Sequence, residues 1–299
     1  MVATRTNRRA DIVAVPVRHY GRWIGAVVVV LVLAALVFAF ANASIDYSIT
    51  GEFFTAPTIL QGMVNTLVIS VTAQALGILL GVIAAVMRLS RNPVTSSVAR
   101  GYIWLFRGTP VLVQLLLWYN LSYVFPTLSI PFVGTWSTNT VMTPFLAALL
   151  GLGINEGAYM AEIVRAGIGS VDEGQTEAAH ALGMSPGRTM RRIILPQAMR
   201  VIVPPTGNEF VNMLKTSSLA YAIQFNELLQ SAVRIYSNNL AIIELLLTVS
   251  LWYLILTTIF SVFQHRLERR FSRGARATQE SQMAALLRNL RPGREETVV

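Results

Sequence analysis

The side chains best able to do chemistry are polar groups embedded in two long apolar segments, 141–164 and 201–223. In each segment three of them recur at spacings of three or four residues, which places them on one face of a helix. The stripes consist of Asn155, Tyr159 and Glu162 in the first segment and of Asn208, Asn212 and Lys215 in the second. Two such stripes on neighbouring helices could line a path for a zwitterion, because its ammonium group needs carboxylates and its carboxylate needs a donor. They could instead form interhelical hydrogen bonds and satisfy one another.

Ionisable side chains inside a membrane span are costly and usually face a cavity or a partner. We therefore expect a set of pathway residues that combines the ionisable groups with their polar neighbours. This candidate pathway consists of Glu156, Tyr159, Asn208, Asn212 and Lys215. Glu162 and Arg165 lie close to the cytoplasmic end of their segment, where we expect a gate or a structural ion pair.

Lys215 is the one lysine of the chain and lies partway along a mainly apolar segment. If it faced lipid near the middle of the bilayer, it would cost about 2.5–3.5 kcal/mol. We therefore expect it to point inward, with Glu156 or Glu162 as its partner across the bundle. Glu209 is six residues away on the same helix and is expected on the opposite side. The alternative is a lysine stem that snorkels to the headgroups.

Other kinds of chemistry find no support in the sequence. The absence of cysteine excludes disulfides, thiolate zinc sites and a cysteine nucleophile. No nucleophile–base or paired-carboxylate arrangement favours a membrane enzyme, and the scattered His19, His180 and His265 predict no metal site. No phosphate-binding Gly-x-x-x-x-Gly-Lys-Ser/Thr loop is present, so any ATP hydrolysis must belong to another polypeptide. The single amides within apolar segments are more simply explained as interhelical hydrogen bonds than as substrate contacts; they are Asn65, Gln74, Gln114 and Asn120.

The composition indicates which elements must hold these groups. The chain is 54% hydrophobic and 13% charged, about half the usual charged share. Its net charge of +9 does not indicate nucleic-acid binding, because the arginines lie in short blocks between long apolar runs. A spanning helix needs about 20 mostly apolar residues. The segments that meet this length are 23–41, 59–87, 103–125, 141–164, 201–223 and 241–264, so we predict an all-α integral membrane protein with six transmembrane helices.

The arginines also predict the orientation. They cluster before the first span, after the second, after the fourth and in the tail, whereas 43–58 and 126–139 contain no basic residue. Because basic connections stay inside the cell, both termini are predicted to be cytoplasmic. The first span is expected to be an uncleaved anchor, although removal of residues 1–43 as a secretory signal is the alternative. In the tail, one helical face over 283–290 predicts either a helix on the membrane surface or a frayed basic tail.

The cytoplasmic segment 165–200 is too structured to be a spacer. A run of helix formers over 177–182 ends at Gly183. Glycine is typical just after the end of a helix, because it accepts the left-handed backbone conformation found there. Ser185-Pro186 then predicts the start of a second short helix, which we expect to end at Pro196. Small residues at 178, 179 and 181 would let another protein approach the first helix closely.

The spacing within this segment resembles the coupling-loop signature of the membrane subunits of bacterial ABC importers. Its positions are Glu177, Ala178, Ala179, Gly183, Ile193, Leu195 and Pro196. Three further segments resemble the permeases for polar amino-acid uptake: the Phe-Arg-Gly-Thr-Pro block at 106–110, then 156–165 and 208–219. The resemblance covers about residues 58–265, with the last five spans matching the type I permease core.

This resemblance implies a non-catalytic subunit that binds no cofactor itself. It implies a second permease subunit, identical or homologous, two ATPase subunits that carry ATP and Mg, and an external binding protein that delivers a polar amino acid. The location would be the bacterial plasma (inner) membrane. The predicted regions are a basic head 1–23, an additional span and outside loop 24–57, the core 58–265 and a basic tail 266–299. The rival interpretation is a self-contained secondary transporter or channel for a small polar solute, which should show inverted repeats that the sequence lacks.

Overall fold

Helices make up most of the protein. The computed structural model describes residues 20–130 and 134–271. The basic head up to residue 19 and the tail from residue 272, with its predicted helical face over 283–290, lie outside the described residues. In chain order the helices are α1 (Tyr20–Ala41), α2 (Tyr47–Phe54), α3 (Pro57–Leu89), α4 (Pro93–Gly108), α5 (Val111–Tyr119), α6 (Thr138–Val141), α7 (Pro144–Gly169), α8 (Glu173–Ala181), α9 (Pro186–Thr189), α10 (Leu195–Thr216), α11 (Leu228–Asn239) and α12 (Ile242–Phe271).

Shorter elements join these helices. The 3-10 turns Leu121–Tyr123 and Ser217–Ile223 follow α5 and α10, and the π-helical stretch Met190–Ile194 joins α9 to α10. The strands β1 (Thr127–Ile130) and β2 (Gly134–Ser137) form an antiparallel hairpin before α6. Neither the hairpin nor α2 is predicted by the apolar pattern, because both are short and lie outside the long apolar runs.

The chain divides into two compact units, Met1–Tyr47 and Ser48–Val299. In the first unit, the large apolar side chains of α1 are exposed, as expected of a helix surrounded by lipid. In the second unit, α2 lies against α12. The rings of Phe54 and Trp252 stack with centroids 4.8 Å apart, and the Trp252 indole N–H donates to the Phe54 carbonyl oxygen at 2.9 Å. The core unit therefore includes most of α2, which the predicted boundary at residue 58 left out.

Three helices of the described chain are long and apolar enough to cross a membrane: α1 from Trp23 onward, α3 and α12. The helices α7 and α10 have 26 and 22 residues, so at about 1.5 Å per residue each can also reach across about 30 Å. They are less apolar because they carry the two polar stripes. The structure is thus a helical membrane protein whose most polar long helices hold the candidate site.

The closest helix pair is α3 with α7, which meet through small residues. Gly77 and Gly81 on α3 lie against Glu156 and Met160 on α7, a spacing of four residues on both helices. In the same way, Gly153 and Gly157 on α7 lie against Leu76 and Leu80 on α3. A Cβ atom at Gly81 would lie 2.9 Å from the backbone carbonyl carbon of Met160. Small residues at this spacing allow membrane helices to approach closely, which gives van der Waals contact along both backbones. This crossing fixes the position of α7 and therefore of its polar stripe.

The third predicted span, 103–125, is wrong as a single helix. The helix α4 ends at Gly108 and α5 begins at Val111, with Thr109 and Pro110 in extended conformation between them. Proline disfavours helical geometry in the residue before it, which explains the break. The apolar run across 103–125 gave no sign of two separate helices there.

The second helix of the cytoplasmic loop does not end at Pro196, contrary to the prediction. The chain stays helical from Pro186 through the π-helical stretch and α10, so Pro196 lies in the first turn of α10. The Leu195 N–H donates to the Met190 carbonyl, a five-residue step that widens the turn. Because the first turn of a helix tolerates proline, the loop continues directly into α10.

Candidate functional site

A polar cavity of about 530 Å³ lies between α5, α7 and α10. Four of the five predicted pathway residues line it: Glu156, Tyr159, Asn212 and Lys215. The fifth, Asn208, is exposed and is not part of the lining. Asn155, Glu209 and Thr216 add further polar groups, and Val111 contributes from the start of α5. The structure therefore brings two residues of each predicted stripe to one space, whereas Glu162 and Asn208 do not line it.

The charged groups of the cavity differ in burial. Glu156 is only 6% exposed, and one of its carboxylate oxygens accepts a hydrogen bond from the Gln74 amide at 3.2 Å. Lys215 is exposed on the cavity side and takes part in no ion pair within 4 Å among the described residues. Lys215 is among the lining residues of the cavity, but the predicted carboxylate partner is not in contact.

Glu209 also lines the cavity, so its expected position on the opposite side of the helix from Lys215 is wrong. Two residues that are six positions apart on an α-helix point in directions that differ by about 120°. A cavity that curves around the end of the helix can therefore contact both of them. The sequence analysis did not include Glu209 among the pathway residues because it considered only one polar stripe on each helix.

The break between α4 and α5 is held against α7 by amide side chains. The Asn155 amide donates to the Phe106 carbonyl oxygen at 2.7 Å and to the Gln114 side-chain oxygen at 3.3 Å. The Gln114 amide in turn donates to the Thr109 hydroxyl oxygen at 2.7 Å. Asn155 and Gln114 thus make interhelical hydrogen bonds, one of the two roles that the sequence allowed. The Arg107 guanidinium lies 5.0 Å from the centre of the Tyr159 ring, which links the break to the cavity wall.

Glu162 and Arg165 form the ion pair that the sequence suggested. An Arg165 guanidinium nitrogen lies 2.8 Å from the Glu162 carboxylate, and an Arg88 guanidinium nitrogen lies 3.9 Å from its other oxygen. Because Arg88 belongs to α3, the Glu162 carboxylate joins the C-terminal parts of α3 and α7. Of the remaining amides, Asn65 donates to the Asn226 carbonyl oxygen at 2.7 Å and Asn120 donates to the Leu116 carbonyl oxygen.

The loop at 165–200 has the predicted first short helix, α8, and the predicted start of a second, α9, which continues into α10. Asp172 caps α8 through the Gly174 N–H at 2.8 Å, and the chain leaves α8 at Gly183 with φ of +74°. Ser185 and Pro186 occupy the predicted first positions of the next helix. Only glycine adopts this left-handed conformation without strain, so Gly183 sets the angle between the two helices.

The predicted approach surface on α8 needs a correction. Ala178 and Ala181 are exposed, and so is Glu177, but Ala179 is only 1% exposed and packs within the loop itself. Because it faces inward, Ala179 cannot let another protein approach. Leu182, which sequence reasoning passed over, is 82% exposed at the end of α8. Of the later signature positions, Leu195 and Pro196 are exposed and Ile193 is partly buried.

The structure thus combines a helical membrane unit, a polar cavity and an ordered loop at 165–200. Residues 77–273 match the family of inner membrane components of binding-protein-dependent transport systems, and the chain belongs to that family. It is therefore the non-catalytic permease subunit of an ABC importer, and ATP hydrolysis belongs to a separate subunit.

The individual relatives are permeases of the same kind. An arginine transport system permease of Corynebacterium glutamicum is 42% identical, with 94% of this chain and 90% of that protein covered. The glutamine transport system permease of Escherichia coli K12 is 36% identical, with 72% and 93% covered. A crystal structure of an amino acid ABC transporter with histidines matches with a TM-score of 0.67 at 37% identity, covering 76% of this chain and all of that one.

Proposed function

We propose that this permease carries a cationic amino acid, received from an external binding protein, through a pathway that includes the cavity between α5, α7 and α10. The observation that carries this proposal is the charge of the lining, which combines Glu156 and Glu209 with the single cation Lys215. An amino acid with a basic side chain has the complementary pattern of two cationic groups and one carboxylate. The name of the Corynebacterium relative, an arginine permease, supports the same substrate class.

The proposed complex contains a second permease subunit, identical or homologous, and two ATPase subunits on the cytoplasmic side. Asn212 and Lys215 are exposed on the cavity side of this subunit, and a second permease would shield them from lipid. The exposed face of α8, with Glu177, Ala178 and Leu182, would enter a groove of the ATPase. Since α8 is connected by the turn at Gly183 to α9, which continues as helix into α10, movement of the ATPase would reach the cavity through that turn and α10.

Six spans with both termini in the cytoplasm are part of this proposal. The spans would be α1, α3, the broken pair α4–α5, α7, α10 and α12. The arginine clusters at alternate connections support this orientation. A reporter inserted after residue 50 or 126 should respond as outside, and one inserted after 95 or 185 as inside. The opposite response at any of these positions would refute the topology without bearing on the substrate.

The substrate proposal is tested by uptake into proteoliposomes that contain the whole importer and its binding protein. Lys215→Met should lower uptake of every amino acid that is carried, because the carboxylate is common to all of them. Glu209→Gln should lower arginine uptake by about tenfold or more, the value of one charged hydrogen bond, and affect glutamine much less. Glu52→Gln, on the exposed face of α2, is the matched control and should behave as the wild type. Equal loss of arginine and glutamine uptake in Glu209→Gln would contradict a cationic substrate.

A further inference from the structure

A second and larger cavity, of about 1000 Å³, is an apolar groove between α3 and α12. Its walls include Val82 and Val86 on α3 and Phe263 on α12, and α7 and α10 form its floor. These side chains are 43%, 61% and 63% exposed, so the groove opens to the outside of the described unit. It shares no lining residue with the polar cavity, which lies at a different level along α7 and α10.

The apolar wall of the groove on α3 has about the length of one leaflet of a bilayer. From Ile78 to Leu89, both in the lining, α3 rises by about 16 Å at about 1.5 Å per residue, and the polar Gln74 extends the lining by one further turn. Half of a hydrocarbon core of about 30 Å is about 15 Å. One end of the groove thus lies near the middle of the membrane. The other end, beside Met190 at the end of the loop segment, lies at the cytoplasmic headgroups in the topology proposed above.

Basic residues adjoin the lining of the groove in the sequence at its proposed cytoplasmic end. Three exposed arginines lie within three residues of lining side chains: Arg91 after Ser90, Arg191 after Met190 and Arg270 after Leu267. Among the described residues they take part in no ion pair within 4 Å, because those pairs use Arg88, Arg165 and His265. An apolar groove with an arginine-rich mouth has the chemistry of a phospholipid with an anionic headgroup.

We propose that this groove binds an anionic phospholipid of the cytoplasmic leaflet. One acyl chain lies between α3 and α12, and the phosphate lies among Arg91, Arg191 and Arg270. The lipid fills the space between α3 and α12, which would otherwise be empty. Since the groove floor contains α10 and the mouth adjoins the π-helical stretch, the lipid contacts the segment that joins the cytoplasmic loop to the transport cavity. This inference depends on the proposed topology but not on the identity of the transported substrate.

Native mass spectrometry of the whole importer, released from nanodiscs of equal parts phosphatidylglycerol and phosphatidylcholine, tests the proposal. The wild type should retain phosphatidylglycerol in preference to phosphatidylcholine. Arg270→Gln should reduce that preference by about fivefold, the effect of one basic residue at an anionic surface. Arg269→Gln, which lies on another face of α12, should leave the preference unchanged. Equal retention of both lipids by the wild type would overturn the proposal.

Occupancy of the groove is tested separately with α3. Val82→Trp should fill the groove and remove the retained phosphatidylglycerol, whereas Ile83→Trp, with similar exposure outside the lining, should not. Because the chain has no cysteine, Val82→Cys introduces its only thiol and requires little change of volume. Disulfide cross-linking of two copies through this thiol would show that a second subunit covers the groove and would overturn the lipid proposal. Retention of phosphatidylglycerol by Val82→Trp at the wild-type level would do the same.

Discussion

Replacing Gly81 by alanine should push α3 and α7 apart and destabilise the helical unit. The new Cβ would come closest to the Met160 Cβ, and it would lie 2.9 Å from the Met160 carbonyl carbon and 3.0 Å from the Ala161 nitrogen. Ordinary carbon contacts lie at about 3.5–4.0 Å, so the helices must separate by at least about 0.5–1 Å. Two of these atoms belong to the backbone and the Met160 Cβ is bonded directly to it, so none of them can rotate away. Overpacking of this kind costs about 3 kcal/mol at its upper end, and the better helix propensity of alanine offsets about 1 kcal/mol.

The net loss is therefore about 2 kcal/mol, which corresponds to a lower thermal midpoint by about 4–8 °C for a unit of this size. The assay is the midpoint of thermal aggregation of the purified importer in detergent. Gly101→Ala is the control, because nothing lies within 4 Å of a Cβ at that position on α4. Its midpoint should stay unchanged or rise. If Gly81→Ala matched Gly101→Ala, the close crossing of α3 and α7 would not be what holds the unit together.

Three further changes test the cytoplasmic side. Ala178→Trp should abolish ATP-driven uptake and leave the thermal midpoint unchanged, because Ala178 is exposed. A lowered thermal midpoint would show that Ala178 is buried inside the loop. Ala179→Trp should instead destabilise the loop by about 1–3 kcal/mol, since its site is filled, and limited proteolysis should detect the change. Gly183→Val should lower the stability of the loop by a similar amount, because valine is strained at a φ of +74°. It should also uncouple ATPase activity from uptake, and normal coupling in this variant would contradict the proposed role of Gly183.

The composition and apolar runs were sufficient to predict a helical membrane protein, and the loop and motif patterns indicated its family. The predicted start of the second loop helix at Ser185 and Pro186 and the left-handed Gly183 were also correct, because capping and φ preference are local properties. The expectation of an ABC importer permease is confirmed by the family match.

The failures of the sequence analysis share a physical cause, which is that they depend on packing. Pro110 and Pro196 have the same chemistry, yet one marks a break and the other lies in the first turn of a long helix. The wide π-helical turn before Pro196 has no sequence signal. In the same way, Ala178 and Ala179 are identical residues, and only the position of α9 determines which of them is buried. Glu209 was missed because a cavity between three helices does not follow one helical stripe.

The most direct test of the account is uptake by proteoliposomes that contain this permease, with the binding protein outside, measured with and without the ATPase subunit. The account predicts that amino-acid uptake requires both the ATPase subunit and ATP inside the vesicles, and that dissipating ion gradients has no effect. It also predicts that the ATPase subunit co-purifies with the permease. Uptake that persists without the ATPase and depends on an ion gradient would contradict the assignment as an ABC importer subunit.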